Sequence, residues 1–357
     1  MGKTLAELAL TGFAALGIFG SPYAGAQPAP AAQEQQTQKY KIPSDAEIRL
    51  AEKEIREIYK AEYRIIDPAK KKEFGEKLLA NGRETTNPAQ KYVLLRDASN
   101  TLADLLELSG SYDAIRAMKE SFEDFDAVKT YEEKLTAAQK KARTKEDAGK
   151  IAEAYLQLAE TAVQEKGYKQ ALSAAKSAET VGRKAGDASL VERAGDLIKA
   201  IPDMEREYGL FKKAEAVLSD NPNDPEANTI VGMYKGFVDN DWENALNHLA
   251  RGTNGIRRIA EQEILVRSAG MDNPDAVCLV ADLWYEHSNK TSNALEKRRL
   301  ATHAFELYQE AQPKAKGITK DKIDRRISEL ENKVNPTNGT GKGGWVDLLR
   351  LIDPTKD

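Results

Sequence analysis

Residue types that could do chemistry are spread thinly along this chain. Gly339-Thr340-Gly341-Lys342-Gly343-Gly344 has the make-up of a loop whose backbone amides cradle phosphate. That chemistry needs Ser or Thr after the Lys to hold magnesium, with a strand before the loop and a helix after it to aim the amides. Gly343 stands where the hydroxyl is required and no strand precedes it, so neither a nucleotide site nor any other cofactor is expected. The histidines are His248, His287 and His303; Glu286-His287 could meet His303 in space, but neither His-x-x-x-His nor Glu-x-x-His spacing occurs. Solvated or turn positions are expected for them, and no metal. Asp220, Asn221, Asp224 and Glu226 imitate a calcium loop in composition only: the required Gly and distant Glu are missing and two prolines interrupt, which reads as a turn between helices.

Cys278 is the single cysteine and lies in the apolar run Ala276-Val277-Cys278-Leu279-Val280, where a small buried hydrophobe is expected rather than a nucleophile. The chain has no Gly-x-Ser-x-Gly elbow, no Cys-His pairing and no dinucleotide fingerprint. With 57 Asp and Glu, any chosen pair of carboxylates is uninformative, because charged pairs at helical spacing are usually solvated faces. Catalysis is therefore not expected. Arg257, Arg258, Arg267, Arg298 and Arg299 form a basic subset, but Glu261, Glu263 and Glu296 are at hand to balance it. The residues that remain for partner binding are Tyr155, Tyr168, Tyr234, Trp242, Trp284 and Tyr285. Most should fill space between helices, and any that reach an open face would be anchors.

The elements that carry these residues are helices. The chain is 31% charged and 7% aromatic, with a mean hydropathy of -0.60, which suits amphipathic helices with wide solvated faces. A formal net charge of -4 gives no electrostatic footprint for nucleic acid. Residues 1–26 read as an export signal: Lys3, an apolar stretch from Leu8 to Phe19, a break at Gly20-Ser21-Pro22, then Ala24-Gly25-Ala26. That apolar run is short of the roughly 20 residues a membrane span needs. The expected destination is the periplasm, the cell envelope or the exterior, with no membrane span after cleavage. Residues 27–43, rich in Ala, Pro and Gln, read as a disordered spacer.

Order is expected from Ser44, where Ser44-Asp45-Ala46-Glu47 forms a capping box. Residues 44–145 read as N-terminal helical hairpins: Asn87-Pro88 opens one helix, Ser109-Gly110-Ser111 turns the chain, and a long charged helix follows from about Val128 to Lys145. Residues 146–219 hold the clearest hairpin, with Tyr155, Leu158, Ala159 and Ala162, then Gly167-Tyr168, then Ala171, Ala175 and Ala178. Residues 220–334 repeat it in altered form, with Gly232 and Trp242 one residue further apart, then a unit whose turn from Glu286 to Lys297 is long, then a closing helix carrying Ile323, Ile327 and Leu330 inward. Residues 335–344 read as a flexible linker, and 345–357 as the start of a truncated or docking segment.

Small residues let two helices approach closely while the tyrosines fill the open ends, and in this the Tyr155 to Ala178 hairpin resembles a tetratricopeptide repeat, with Tyr155 where that family favours Trp. A wider resemblance runs from Ile42-Pro43-Ser44 to Asp353-Pro354. It is carried by Tyr92-Val-Leu-Leu-Arg-Asp-Ala, Asn223-Asp-Pro-Glu-Ala-Asn, Asn240-Asp-Trp-Glu, Leu279-Val-Ala-Asp-Leu-Trp-Tyr and Gly317-Ile-Thr-Lys-Asp-Lys-Ile. These look like the helical region of secreted multidomain proteins of planctomycete-type bacteria. The resemblance implies a tetratricopeptide-like scaffold, often followed by a carbohydrate-binding, lectin-like or enzymatic domain, and carries over no catalytic residue.

The expected fold is all-α: stacked antiparallel helical hairpins in a tetratricopeptide-like α-solenoid. Such arrays hold surfaces for binding. The expected function is a non-catalytic scaffold for protein or peptide partners at the cell envelope, with carbohydrate attachment, or service as the helical part of a larger enzyme, as the alternatives.

Overall fold

The computed structural model describes residues 39–292 and 294–334. The expected export signal, most of the spacer, the Gly339 to Gly344 loop with its linker, and the 345–357 segment lie outside the described residues.

Asn or Asp followed by Pro opens helix after helix. Proline presets the first-turn dihedral and lacks an amide that would otherwise be orphaned, while the preceding side chain accepts from a free amide. Asp67 accepts from the Lys70 amide at 2.9 Å, Asn87 from Gln90 at 3.1 Å, Asp224 from Ala227 at 2.8 Å and Asn273 from Asp275 at 3.0 Å. Ser44 and Glu47 complete the expected capping box. The helices of the first half are α1 (Asp45–Ile58), α2 (Pro68–Glu84), α3 (Pro88–Asp104), α4 (Leu108–Ser121), α5 (Ala127–Lys141), α6 (Lys145–Gln164) and α7 (Tyr168–Ala185). Those of the second are α8 (Ala188–Asp220), α9 (Pro225–Phe237), α10 (Trp242–Leu249), α11 (Asn254–Ser268), α12 (Pro274–Lys290), α13 (Ala294–Ala311) and α14 (Gly317–Val334). No β-strand occurs among the described residues; the one bridge joins Tyr40 to Phe122, pinning the chain ahead of Ser44.

The described chain is all-helical, and its helices pack in adjacent pairs. The main packing partners are neighbours in the chain, such as α2 with α3 and α6 with α7, or next but one, such as α1 with α3, α4 with α6 and α12 with α14. Three of the pairs share one turn. Leu106, Lys166 and Asn240 have φ of 58, 60 and 53°. Each precedes a residue of nearly constant conformation: Glu107 at φ -85, ψ 66, Gly167 at -84, 59 and Asp241 at -94, 71. The amide of Glu107 reaches back to the Leu102 carbonyl and that of Gly167 to Ala162, whereas Asp241 reaches Lys235, one residue further along its chain. This is the insertion that the spacing of Gly232 and Trp242 predicts.

Counting from these turns brings Ser99, Ala159 and Gly232 into register on the first helices, and Ser111, Ala171 and Ala245 on the second. Small side chains here set how closely each pair approaches. Ser99 and Ser111 hydrogen-bond at 3.0 Å in the core, and a Cβ on Gly232 would lie 3.0 Å from the Ala245 carbonyl oxygen. Ser109-Gly110-Ser111 is therefore not the expected turn; it is the first turn of α4, used for close approach, and the chain reverses at Leu105 to Glu107.

Two other boundaries differ from expectation. The helix foreseen from Val128 to Lys145 stops at Lys141, because Thr144 and Asp147 form a capping box that begins α6. The long turn foreseen from Glu286 to Lys297 is short, because α12 continues to Lys290, with the buried Ser288 hydroxyl donating back to the Tyr285 carbonyl at 2.7 Å.

Candidate functional site

The six candidate aromatics fall in four places. Tyr155 is buried where α5 meets α6, its hydroxyl 3.4 Å from Gln139 Oε1. Tyr168 and Tyr234 are buried with Tyr208 and Phe211 of α8; the Phe211 and Tyr234 rings stack at 4.2 Å. Burial pushes the Tyr234 phenol up to about 12, against the opposing effect of the neighbouring Tyr168 phenol. Trp242 and Trp284 flank His303. Tyr285 is half-buried on α12 with the Arg326 guanidinium 5.0 Å from its ring centroid. Trp242 and Tyr285 thus keep open surface, while the other four fill the interior.

Around Trp242 and Trp284 the structure assembles a cluster that sequence spacing does not show. Glu263 of α11 is fully buried and accepts from Trp284 Nε1 at 2.6 Å through Oε2, and from Arg267 Nε at 2.8 Å through Oε1. His303 of α13, only 2% exposed, places Nε2 at 3.1 and 3.0 Å from the two Glu263 oxygens. Trp242 of α10 lies parallel to the imidazole at 3.5 Å, and Phe237 of α9 meets it edge-on at 6.2 Å. The expectation of a solvated or turn position fails for His303, because its partners arrive from four other helices, α9 to α12.

Burial alone would raise the Glu263 carboxyl, but the His303 and Arg267 cations outweigh it and the group is held below the usual carboxylate range. Burial alone would lower His303, but Glu263 outweighs it and the imidazole is held above its ordinary value. Both shifts favour the imidazolium and the carboxylate. With Trp284, Arg267 and His303 all donating to Glu263, both of its oxygens are occupied and neither is left to accept a proton from an incoming group. His303 Nδ1 faces Glu306 Oε2 at 3.7 Å, beyond hydrogen-bond distance. The chemistry available is to bind five helices, α9 to α13, at one point.

The remaining candidates resolve in the same direction. His248 contacts Asn228 at 3.0 Å, and Asn228 in turn donates to the Pro222 and Asp224 carbonyls, so the calcium-like stretch is an ordered turn. Cys278 is buried, and burial followed by the Asp282 carboxylate raises its thiol. Of the basic subset, Arg267 pairs with Glu263 as expected, Arg257 caps the Gly252 carbonyl, and Arg299 pairs with Glu207 of α8. Among the described residues no group of three or more His, Cys, Asp or Glu is arranged to hold a metal, and no helix is long and apolar enough to cross a membrane.

Comparison of the chain with protein-family models, with curated proteins and with solved structures gives no match.

Proposed function

We propose that this protein is an exported, non-catalytic scaffold of tetratricopeptide-like hairpins, stacked as an α-solenoid, that holds protein or peptide partners at the cell envelope. The observation that carries this reading is the recurrence of one turn and one small-residue crossing in the α3/α4, α6/α7 and α9/α10 hairpins. A unit that recurs, and whose main contacts are with its neighbours and next neighbours, builds a long surface from short-range packing. Its side chains are committed to holding helices together, as the saturation of Glu263 illustrates. The export half of the reading rests on residues 1–26, and the planctomycete-type resemblance agrees with it.

The test uses the full chain as bait in envelope extract, with captured proteins identified by mass spectrometry and a polysaccharide-binding assay run beside it. A saturable protein partner, weakened by changing Tyr285 or Trp242, is the expected result. Binding to polymer alone would instead make the chain an attachment module, and turnover of a substrate would overturn the non-catalytic reading.

A further inference from the structure

The 33 residues of α8 connect two bodies of packing. On one side α8 packs against α6 and α7, and on the other against α9; between the helices α1 to α7 and the helices α9 to α14 there is no extensive helix packing. The buried positions of α8 divide accordingly. Leu190, Ala194, Leu197, Ala200 and Ile201 face the first body, Phe211 and Ala214 face the second, and none of residues 202–210 is buried. That stretch begins with Pro202, which removes an internal helix bond, and includes Gly209, the next weakest helix residue. Nothing lies within 4 Å of where a Gly209 Cβ would be, so packing gives no reason for a glycine there.

The contacts that bridge the waist are largely polar. Lys166, in the α6/α7 turn, reaches Asp239 in the α9/α10 turn at 3.1 Å and lies 5.2 Å from the Tyr234 ring centroid. Arg299 of α13 holds Glu207 through two bonds, one of 3.1 Å, while its Nε stays buried without a partner. Tyr168, Tyr208 and Tyr234 meet at 5.8 and 6.0 Å, each bringing a phenol into the joint. The Lys166–Asp239 pair is partly exposed and the Arg299–Glu207 pair more buried, and polar contacts of this kind with polar-ended aromatics, in place of a continuous apolar core, are typical of domain contacts that move. We propose that residues 202–210 of α8 are a hinge between the two helical bodies, latched by Lys166 with Asp239 and by Arg299 with Glu207. Opening the latches lets α8 bend and changes the angle between the two halves of the surface, whatever partner that surface holds.

The test measures distances between nitroxide labels in the full chain carrying Cys278→Ala. Lys176→Cys on α7 and Glu261→Cys on α11, both exposed, report across the hinge, while Lys140→Cys with Lys176→Cys reports within the first body. Asp239→Ala with Glu207→Ala should broaden or shift the distribution across the hinge by several ångströms and leave the other unchanged. Pro202→Ala with Gly209→Ala should narrow it. A distribution across the hinge that ignores both changes overturns the proposal, as does equal broadening within the first body, which would mean general loosening. Hydrogen exchange gives an independent reading without substitutions. Amides of 203–210 should exchange at least about ten-fold faster than those of Leu190 to Ile201 and of Phe211 to Ala214; uniform protection along α8 would refute a hinge.

Discussion

Trp242 lies flat on the imidazole of His303, ring centroids 3.5 Å apart and planes 11° from parallel, while Glu263 holds the Nε2 edge of the same ring. A cation between an aromatic face and a carboxylate is stabilised from both sides. The pH dependence follows from the directions of the two shifts. His303 is raised in the folded chain, so its contribution is full below the unfolded value near 6.5 and is lost as pH rises through the folded value. Glu263 is lowered, so its contribution is present above about 4.5 and is lost as pH falls through the folded value. Urea unfolding followed by Trp fluorescence should therefore show stability that declines above neutral pH, and His303→Gln should flatten that alkaline decline. A slope unchanged in the variant would mean that His303 is not the titrating group.

Removing one partner of a buried ion pair leaves the other uncompensated, at a cost of about 3–5 kcal/mol. Glu263→Gln keeps the shape and removes the charge, leaving His303 and Arg267 facing a neutral amide. The expected loss is in that range and should appear in the unfolding of α9 to α14. A loss below about 1 kcal/mol, the worth of a surface pair, would show that water reaches the cluster.

Ser99 and Ser111 satisfy one another in the core of the α3/α4 hairpin. Either one changed to Ala strands a buried hydroxyl, for about 1–3 kcal/mol. Changing both reproduces the Ala159 and Ala171 pairing of α6/α7, so the double variant should be more stable than either single one. Simple additivity in thermal unfolding would deny that the two hairpins share a crossing.

Gly232 and Gly209 make an opposed pair of tests. A Cβ at Gly232 would sit 2.6 Å from Leu249 Cδ2 and 3.0 Å from a backbone oxygen, so Gly232→Ala should destabilise by about 1–3 kcal/mol. Gly209 has open space at that point, and Ala there should stabilise by about 0.5–1 kcal/mol through helix propensity. Chemical denaturation of both variants reads the two signs, and equal effects would contradict the close approach of α9 and α10.

Much of this fold could be read along the chain because its causes are local. Asp67-Pro68, Asn87-Pro88 and Asp224-Pro225 open helices where they stand, and the alanines from Ala159 to Ala178 mark a close crossing by size alone. What escaped depends on partners distant in sequence. His303 sits between Thr302 and Ala304 with nothing beside it to reveal Glu263, 40 residues earlier. Ser109-Gly110-Ser111 has the composition of a turn, and only its register with Gly167-Tyr168 places Ser111 in a helix. The waist of α8 was equally silent, because partial burial over 202–210 is a property of two bodies and not of one helix.

Cys278 offers a direct reading of how often the second body opens. Cys278 is 3% exposed, and burial followed by the Asp282 carboxylate raises its thiol, so in the folded chain it is covered and held toward the unreactive protonated form. A chromogenic thiol reagent should therefore react at the rate of local opening and quickly only in denaturant. Glu263→Gln, by withdrawing about 3–5 kcal/mol from the packing around α12, should speed the reaction by about 100-fold or more where opening and closing are fast. Ser99→Ala should not, because α3 makes no extensive contact with α12. Acceleration by both variants, each in proportion to its own loss of stability, would mean that Cys278 is uncovered only when the whole chain unfolds, and that α8 transmits stability between the two bodies instead of separating them.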